Sequence, residues 1–297
     1  MGELPFAPIM RFAAYARRPD AALRLDVGAL LVAELRRPRL DHARYLFDLD
    51  SLAAEVWATL GPRARLLRPE QAGRRETALR VLETMVEVLA RREDFHGAEE
   101  DIADPRGSFL DSVLTRREGL PILLSVVYLE VARRLGAPLQ GVALPARFMV
   151  KWPLPPEEGG DLYVDVYDRG ALLDEPTCHQ FILRLVSSHG PRAFDPAWAE
   201  AATNRQILTR VLNNLKLTYL SRGDTANALQ VCDRLVALRP DLPQELRDRG
   251  LLRLALGEPL LAAADITAYL ERAPDAPEHA RLRRRIAATR ELRAKLN

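Results

Sequence analysis

Two side chains of this sequence could act as nucleophiles in acyl transfer or hydrolysis, namely Ser125 and Cys178. Such a nucleophile needs a base within hydrogen-bond reach to take its proton. No histidine accompanies Ser125 in its motif, and His179 follows Cys178 directly, so those two side chains point in different directions. We expect Ser125 to be a buried hydroxyl bonded to a carbonyl one turn back, and Cys178 to lie in an ordinary loop or helix start. A hydrolase or acyltransferase that uses Ser125 or Cys178 is the alternative.

The remaining histidines give no indication of a metal site. They are scattered and lack the spacing of metal ligands: His42, His96, His189 and His279. No glycine-rich loop follows a predicted strand to hold a phosphate, and no pair of carboxylates has the spacing of a known motif. Two cysteines are too few for a disulfide framework or a structural zinc site. We expect neither a metal nor an organic cofactor.

Residues 119–170 supply a buried helix and the strands that follow it. The helix is predicted from Pro121 to Leu135, and it is apolar almost all round in its first half, which is typical of a buried helix. The apolar period then changes to two, which predicts strands at 139–144, 148–152 and 162–167. Asp168-Arg169-Gly170 is a predicted turn. Helices followed by an antiparallel sheet make an α+β domain.

The first hundred residues are predicted to be helical, because their apolar spacing is near 3.6 and their stop signals are clear. Helices are predicted at 28–37, 41–61 and 76–92. Asp41 is the predicted N-cap of the second helix, for which an interruption near Asp50 and Ser51 is an open alternative. An irregular stretch at 96–107 precedes a short predicted helix at 108–114.

Residues 205–277 repeat with a period of 34. That shift superposes more identical residues than the roughly two or three expected by chance: Leu212 on Leu246, Leu217 on Leu251, Leu220 on Leu254, Gly223 on Gly257, Ala228 on Ala262, Pro240 on Pro274, Asp241 on Asp275 and Pro243 on Pro277. The period, the turn glycine and the closing proline resemble the tetratricopeptide repeat. Two repeats are normally too few to be stable alone, so we expect them to dock on the first domain, with a capping helix at 277–296.

Several motifs in this chain occur in one order with suitable spacing: Asp104 to Leu110, Arg116 to Gly119, Gly119-Leu120-Pro121, Leu144-Pro145-Ala146-Arg147-Phe148, Val164-Asp165, Asn213-Asn214-Leu215 and Arg247-Asp248-Arg249-Gly250. Over residues 20–290 they resemble the SirB-type family of bacterial proteins, which join a transglutaminase-like domain to tetratricopeptide repeats. The resemblance implies an α+β fold with a papain/transglutaminase-like core at residues 20–200. An all-α module of two repeats and a capping helix would follow at residues 201–297.

The same resemblance identifies the positions of a transglutaminase triad, in which a Cys begins the buried helix, a His lies on the next strand and an Asp on the one after. Those positions hold Pro121, Arg147 and Asp165. Proline has no nucleophile and suits a first helical turn, and a guanidinium stays protonated and cannot act as a base. A Gly-His pair usually follows Leu-Pro in the family, where this chain has Ala146-Arg147. We therefore expect no cysteine chemistry, and a salt bridge between Arg147 and Asp165 that staples the sheet or anchors a ligand.

The composition is that of an ordinary globular protein. Hydrophobic residues make up 48% and charged residues 28%, and the formal net charge is only +2, so no global field favours a polyanionic partner. The longest apolar stretch, at 122–132, is much shorter than the roughly 20 residues of a membrane span. Residues 1–18 do not resemble a secretory signal. We expect a cytoplasmic protein.

The function favoured by these observations is a non-catalytic scaffold or adaptor, a pseudoenzyme that binds a protein or peptide through its repeats, its degenerate cleft, or both. Nucleic-acid binding is a second alternative, since the C-terminal stretch is basic. Its cations are Arg281, Arg283, Arg284, Arg285, Arg290, Arg293 and Lys295. Such a run is more often the solvated face of a terminal helix, whose C-terminal dipole favours positive charge.

Overall fold

The computed structural model describes residues 7–98, 104–186, 193–275 and 277–294. The chain forms two compact units. We call residues 20–211 the core unit, and residues 1–19 with 212–297 the repeat unit. Within the described residues, no helix is both long enough and apolar enough to cross a bilayer.

The described helices, in chain order, are α1 Ala7–Ala16, α2 Leu25–Ala33, α3 His42–Leu60, α4 Arg75–Val86, α5 Leu110–Arg116, α6 Pro121–Leu135, α7 Glu175–Val186, α8 Asn204–Ser221, α9 Thr225–Leu238, α10 Pro243–Ala255, α11 Pro259–Arg272 and α12 His279–Ala294. The strands are β1 His96–Gly97, β2 Glu118–Gly119, β3 Gln140–Val142, β4 Met149–Trp152, β5 Leu162–Asp165 and β6 Ala171–Asp174. The α+β class predicted for the core and the all-α class predicted for the repeats are both confirmed.

Helix α6 is the centre of the core unit and has the bounds that the sequence predicts. Pro121 lies in its first turn, where a missing N–H costs no hydrogen bond, and Gly136 ends it with a left-handed φ of 74°. Twelve of its 15 residues are buried. It packs against α2, α3, α5 and strand β4, so helices and sheet share one core.

A buried network of charges ties α6 to α2. Glu130 is only 2% exposed and Asp26 is fully buried. The Asp26 backbone N–H donates to Glu130 Oε1 at 3.2 Å, while Arg134 donates to Glu130 Oε2 at 2.8 Å and to Asp26 Oδ2 at 2.9 Å. Burial alone would raise the pKa of Asp26, but hydrogen bonds from Arg24 and Arg134 outweigh it and hold this pKa at about 2. Both carboxylates therefore have the partners that buried charges need.

The four longer strands form one antiparallel sheet in the order β3-β4-β5-β6. Paired residues on neighbouring strands lie on one face, so Gly141, Val150 and Val164 share a face. A Cβ at Gly141 would lie 3.2 Å from Leu129 of α6, which places α6 on that side. The opposite face carries Tyr163 and packs against Cys178 and other residues of α7. The sheet thus separates α6 from α7.

Of the three helices predicted in the first hundred residues, the second and third lie within one residue of their predicted bounds, and the first does not. Helix α2 runs from Leu25 to Ala33 rather than from 28 to 37. Helix α3 is continuous through Asp50 and Ser51. Both residues are exposed, so their side chains need not take hydrogen bonds from the helix backbone. The predicted helix at 76–92 consists of α4 followed by a π-helical turn.

The described parts of the stretch predicted to be irregular, 96–98 and 104–107, contain regular structure, and residues 99–103 lie outside the described part of the chain. The first part contains β1, which pairs in parallel with β2 through His96–Glu118 and Gly97–Gly119. A short 3-10 turn at Pro105–Ser108 then precedes α5, which begins at Leu110. A two-residue strand has no periodicity, so the sequence pattern could not indicate the β1–β2 pair.

The two predicted repeats are the helix pairs α8–α9 and α10–α11, and all of their residues except 204–211 of α8 belong to the repeat unit. Gly223 and Gly257 have φ values of 71° and 77°, which suit glycine at the turn between the helices of each repeat. Ala228 and Ala262 are fully buried. Helix α12 packs on α11, as the predicted capping helix requires.

One component of the repeat unit was not predicted, namely α1, which packs against α9. Phe12 is fully buried, and the guanidinium of Arg234 lies 5.9 Å from the centre of its ring. Of the basic C-terminal residues, Lys295 and the side chains of Arg290 and Arg293 lie outside the described part of the chain.

The close approach at Gly97 generates a test of the core packing. A Cβ there would lie 2.4 Å from the Tyr167 ring, so we expect Gly97→Ala to lower the free energy of unfolding by roughly 1–3 kcal/mol. Gly73→Ala is the matched control, because a Cβ at Gly73 meets no atom within 4 Å. Urea unfolding followed by circular dichroism measures both. Equal unfolding midpoints for the two variants would contradict the packing.

Candidate functional site

The structure places Pro121 and Ser125 on α6, within the core. Pro121 is half-buried and Ser125 is fully buried. The Ser125 Oγ has no hydrogen-bond partner among the described residues, so the predicted bond to a carbonyl one turn back is wrong. That bond requires the Oγ to fold against the preceding turn, and it does not do so here. A substrate in solution cannot contact a fully buried hydroxyl.

Arg147 is positioned by a tight turn just before β4. The Arg147 N–H donates to the Leu144 carbonyl at 3.3 Å. Between them Ala146 has a φ of 61°, which crowds the Cβ of any residue except glycine. Ala146 therefore carries backbone strain at the position where the related pattern has Gly.

Arg147 and Asp165 form the predicted ion pair. The Arg147 Nε lies 3.5 Å from Asp165 Oδ2, and their side chains are 19% and 3% exposed. The guanidinium also lies 4.6 Å from the ring centre of Tyr167 and 6.0 Å from that of Phe181. The prediction of a salt bridge is confirmed, and the pair is flanked by two aromatic rings.

The Asp165 carboxylate has a second role in the turn that follows β5. Its Oδ1 accepts hydrogen bonds from the Tyr167 N–H at 3.1 Å and the Asp168 N–H at 3.4 Å. Burial raises the pKa of Asp165, while the Arg147 charge and these two N–H groups lower it, and burial prevails. This carboxylate is a structural acceptor whether or not a base stands beside it.

Cys178 lies within α7 and faces away from its neighbour. It is fully buried, and its Sγ lies 4.0 Å from Met149 Sδ. Burial, with smaller contributions from Asp165 and Glu175, raises the pKa of the Cys178 thiol to about 12. The His179 ring instead stacks on Phe194 with 3.6 Å between ring centres. A thiol with so high a pKa is neutral and a poor nucleophile near pH 7.

The sheet brings some of the candidates together and separates others. Tyr163 and Asp165 are two residues apart on β5, so both lie on the face that packs against α7. Cys178 and Arg147, which pairs with Asp165, lie on the same side. Ser125 belongs to α6 on the other side. Within the parts of the chain that the structure describes, no cluster of His, Cys, Asp or Glu could hold a metal ion.

Sequence reasoning missed Phe181 as a support of Arg147. Phe181 lies three residues after Cys178, and i, i+3 spacing places both on one side of a helix. That spacing could have indicated an aromatic residue over the face that carries Asp165. Recognising it required knowing that α7 crosses this face of the sheet, which the sequence does not state.

A groove of about 600 Å³ lies elsewhere on the core unit. Its charged lining residues are three arginines and three acidic residues: Arg63, Arg91, Arg169, Glu83, Glu87 and Asp168. None of the candidate residues lines it. Because positive and negative side chains are equal in number, the lining of the groove favours neither a cationic nor an anionic ligand.

The strained turn before Arg147 gives one prediction. Ala146→Gly should raise the free energy of unfolding by about 1 kcal/mol, because glycine tolerates the left-handed φ. Ala143→Gly is the control, because Ala143 is exposed like Ala146 but has no positive φ. Glycine there only gives the unfolded chain more conformational freedom, so this variant should have a free energy of unfolding lower by roughly 0.4–1 kcal/mol. Urea unfolding measures both changes. Changes of the same sign would argue against strain at Ala146.

The buried carboxylate gives a second prediction, on pH dependence. The pKa of Asp165 in the folded protein lies above its ordinary value of 3.8, so Asp165 favours folding most at acid pH, and this contribution is lost as the pH rises through the folded pKa. The stability of the wild type relative to Asp165→Asn should therefore fall between acid pH and pH 7. Thermal unfolding over a pH series measures this difference.

Asp174→Asn is the control of opposite sign. A hydrogen bond from Thr177 lowers the pKa of the exposed Asp174, so the wild type should gain stability relative to this variant as the pH rises toward 3.8. If the wild type gained stability with pH relative to Asp165→Asn as well, attraction to Arg147 would outweigh burial at Asp165.

Two family models match this chain. The transglutaminase-like superfamily matches residues 43–213, and the tetratricopeptide repeat matches residues 215–287. Together they cover most of both compact units. No solved structure shows a significant match to the chain.

Curated bacterial proteins are similar over much of the chain. A UPF0162 protein of Pseudomonas aeruginosa is 30% identical over 280 residues, which cover 91% of this chain and 92% of that protein. A UPF0162 protein of Xylella fastidiosa is 37% identical over 189 residues, or 63% of this chain and 66% of that protein. Protein SirB1 of Salmonella typhimurium is 28% identical over 169 residues, or 57% and 61%.

The matches differ in extent. Against the Xylella fastidiosa protein, this chain spans 66% of the relative's length, whereas the match to the Pseudomonas aeruginosa protein extends over both units. The predicted SirB-type resemblance is thereby confirmed: this chain, which carries tetratricopeptide repeats, belongs to the transglutaminase-like superfamily and is related to the bacterial UPF0162 and SirB1 proteins.

Proposed function

We propose that this protein is a non-catalytic scaffold that binds a protein or peptide partner through its repeats, its degenerate cleft, or both. The domains proposed for this role are residues 20–200 and 201–297. Both cysteines are free and buried. Free thiols are usual in a reducing compartment, which supports the cytoplasm as the place where the protein acts.

The observation that carries the proposal is the chemistry at the triad positions. At the positions that the family resemblance gives to the nucleophile and the base, Pro121 has no nucleophilic group, and Arg147, which pairs with Asp165, carries a guanidinium that has donors and no acceptor. Removing the nucleophile or the base of a catalytic triad lowers the rate by on the order of 10⁶. The remaining candidates are poorly suited to replace them, since Ser125 and Cys178 are both fully buried.

The repeat unit supports the binding role. Tetratricopeptide repeats are generally protein-interaction modules, and those of this chain expose several large apolar side chains. Leu217 and Leu220 of α8 are 62% and 43% exposed, and Leu260 and Leu261 of α11 are 58% and 51% exposed. Leu217 and Leu220 are three residues apart, so they share one side of their helix. Neighbouring exposed apolar side chains are typical of a surface that contacts another protein.

A two-part experiment tests the proposal. The full chain should show no amidase or transamidase turnover above buffer, and native Cys178 should resist a thiol-directed probe, because its thiol is buried and neutral. The immobilised full chain should retain a binding partner that the Leu217→Glu, Leu220→Glu double variant loses, if the repeats provide the contact. Leu185→Glu is the control, since Leu185 is an exposed leucine of the core unit, 40% exposed.

Two results would contradict the proposal. Turnover that disappears in Ser125→Ala, or specific labelling of Cys178 in the folded protein, would favour the hydrolase or acyltransferase. Salt-dependent retention of DNA that is lost on changing Arg281, Arg283 and Arg284 to Gln would favour nucleic-acid binding. The second outcome has a structural basis, since those three side chains of α12 are exposed.

A further inference from the structure

We propose that Arg147 is a carboxylate-binding group, so that the partner which occupies the degenerate cleft presents a carboxylate to it. This inference rests on the proposed function, because it specifies the chemistry of the ligand of the cleft. A salt bridge that only staples the sheet would not require Arg147 to bind a ligand.

The first support is the number of hydrogen-bond donors that Arg147 leaves unused. A guanidinium has five N–H donors in a planar fork. The Arg147 Nε is buried and lies 3.5 Å from Asp165 Oδ2, yet it makes no hydrogen bond. Among the described residues, no group accepts a hydrogen bond from the two terminal nitrogens either. Of the three guanidinium nitrogens of Arg147, the Nε alone is buried without a hydrogen-bond partner. The two terminal nitrogens are therefore not fully buried, and they contribute to the 19% of the side chain that is exposed.

Arg134 shows how this chain satisfies a buried arginine that has a structural role. Its side chain is 10% exposed. Its Nε donates to Asp50, its Nη1 to Glu130 and its Nη2 to Asp26, at 2.6, 2.8 and 2.9 Å. Arg147 is nearly as buried but has one carboxylate beside it and no hydrogen bond. Its donors are therefore available to a ligand.

The second support is the rigid placement of the guanidinium. The Tyr167 ring lies 4.6 Å from it, and this ring is fixed because the Tyr167 hydroxyl donates to the Ala98 carbonyl at 2.6 Å. Phe181 lies 6.0 Å away, and Asp165 holds the Nε side. A group held in this way loses little conformational freedom when it binds a ligand. The guanidinium thus lies near two aromatic rings, while its terminal nitrogens are not fully buried.

The charges around Arg147 favour a monoanion over a dianion. Asp165 already places one carboxylate against the guanidinium, and the exposed Asp168 follows in the same turn. A dianionic phosphate would meet more repulsion from these groups than a single carboxylate. The planar fork of terminal N–H groups also matches the two oxygens of a carboxylate. A peptide supplies this group at its C-terminus or on an Asp or Glu side chain.

Three pools of N-acetylated hexapeptides test the inference. The first lacks Asp and Glu and ends in a free carboxylate. The second has the same composition with an amidated end, and the third is amidated with Glu at one central position. Each is passed over the immobilised full chain, and retained peptides are quantified by mass spectrometry. We expect the wild type to retain the first or the third pool over the second, and the choice between them identifies the source of the carboxylate.

Variants of Arg147 link the preference to this residue. Arg147→Gln should bind the selected peptide about tenfold more weakly or worse, because it loses the hydrogen bonds that a guanidinium donates to a carboxylate. Arg147→Lys keeps the charge without the fork and should fall between Arg147→Gln and the wild type. It remains informative if the Gln variant folds poorly. Arg63→Gln is the control, because it removes one charge from an exposed arginine of the same unit.

Three outcomes would overturn the inference. The wild type could retain all pools equally or retain none, Arg147→Gln could keep the wild-type preference, or inorganic phosphate could displace the selected peptide at a lower concentration than acetate does. Equal retention of all pools would remove the carboxylate role and leave peptide binding intact. The proposed function falls separately, if turnover appears in the activity assay.

Discussion

The core unit depends on the hydrogen bonds to the carboxylate of Glu130, which is buried on helix α6 among mostly apolar residues. A buried charge is tolerated only with partners that replace water, and Glu130 obtains them from Arg133, Arg134 and the Asp26 backbone. Those partners fix α6 against α2. Because Arg134 also bonds Asp50 on α3, one network sets three helices. The sheet then packs on α6, so the network also sets the position of β5, which carries Asp165, and of β4, which follows the turn that carries Arg147.

The residues at the positions of the related triad have structural roles of their own. Pro121 is well suited to a first helical turn. Asp165 accepts two backbone N–H groups of its turn, so an acidic residue is useful there without a histidine. Arg147 places a positively charged side chain beside the Asp165 carboxylate. Only Ala146, with its left-handed φ, fits its place poorly, and it is the residue that departs from the Leu-Pro-Gly pattern together with Arg147.

Local signals predicted much of this molecule. Pro121 and Gly136 fixed the bounds of α6, Gly223 and Gly257 fixed the turns of the repeats, and the family pattern led to the Arg147–Asp165 pair. Long-range packing was not predictable in the same way. The β1–β2 pair is too short for a period, and Phe181 approaches Arg147 only because α7 crosses the sheet. The unbonded Ser125 hydroxyl depended on a side-chain rotamer, which sequence does not determine.

The placement of α1 has a consequence for how the chain is made. Phe12 is buried in the repeat unit, where α1 packs on α9, and about 200 residues separate the two helices in the sequence. At the roughly 5–20 residues per second of protein synthesis, α1 leaves the ribosome on the order of 10–40 s before α9 exists. During that interval an apolar helix with no native surface to cover it precedes the growing core unit. Helix α1 is thus translated before the core unit but reaches its final environment only after α9 has been made, and during that interval its apolar side chains are accessible to chaperones and proteases.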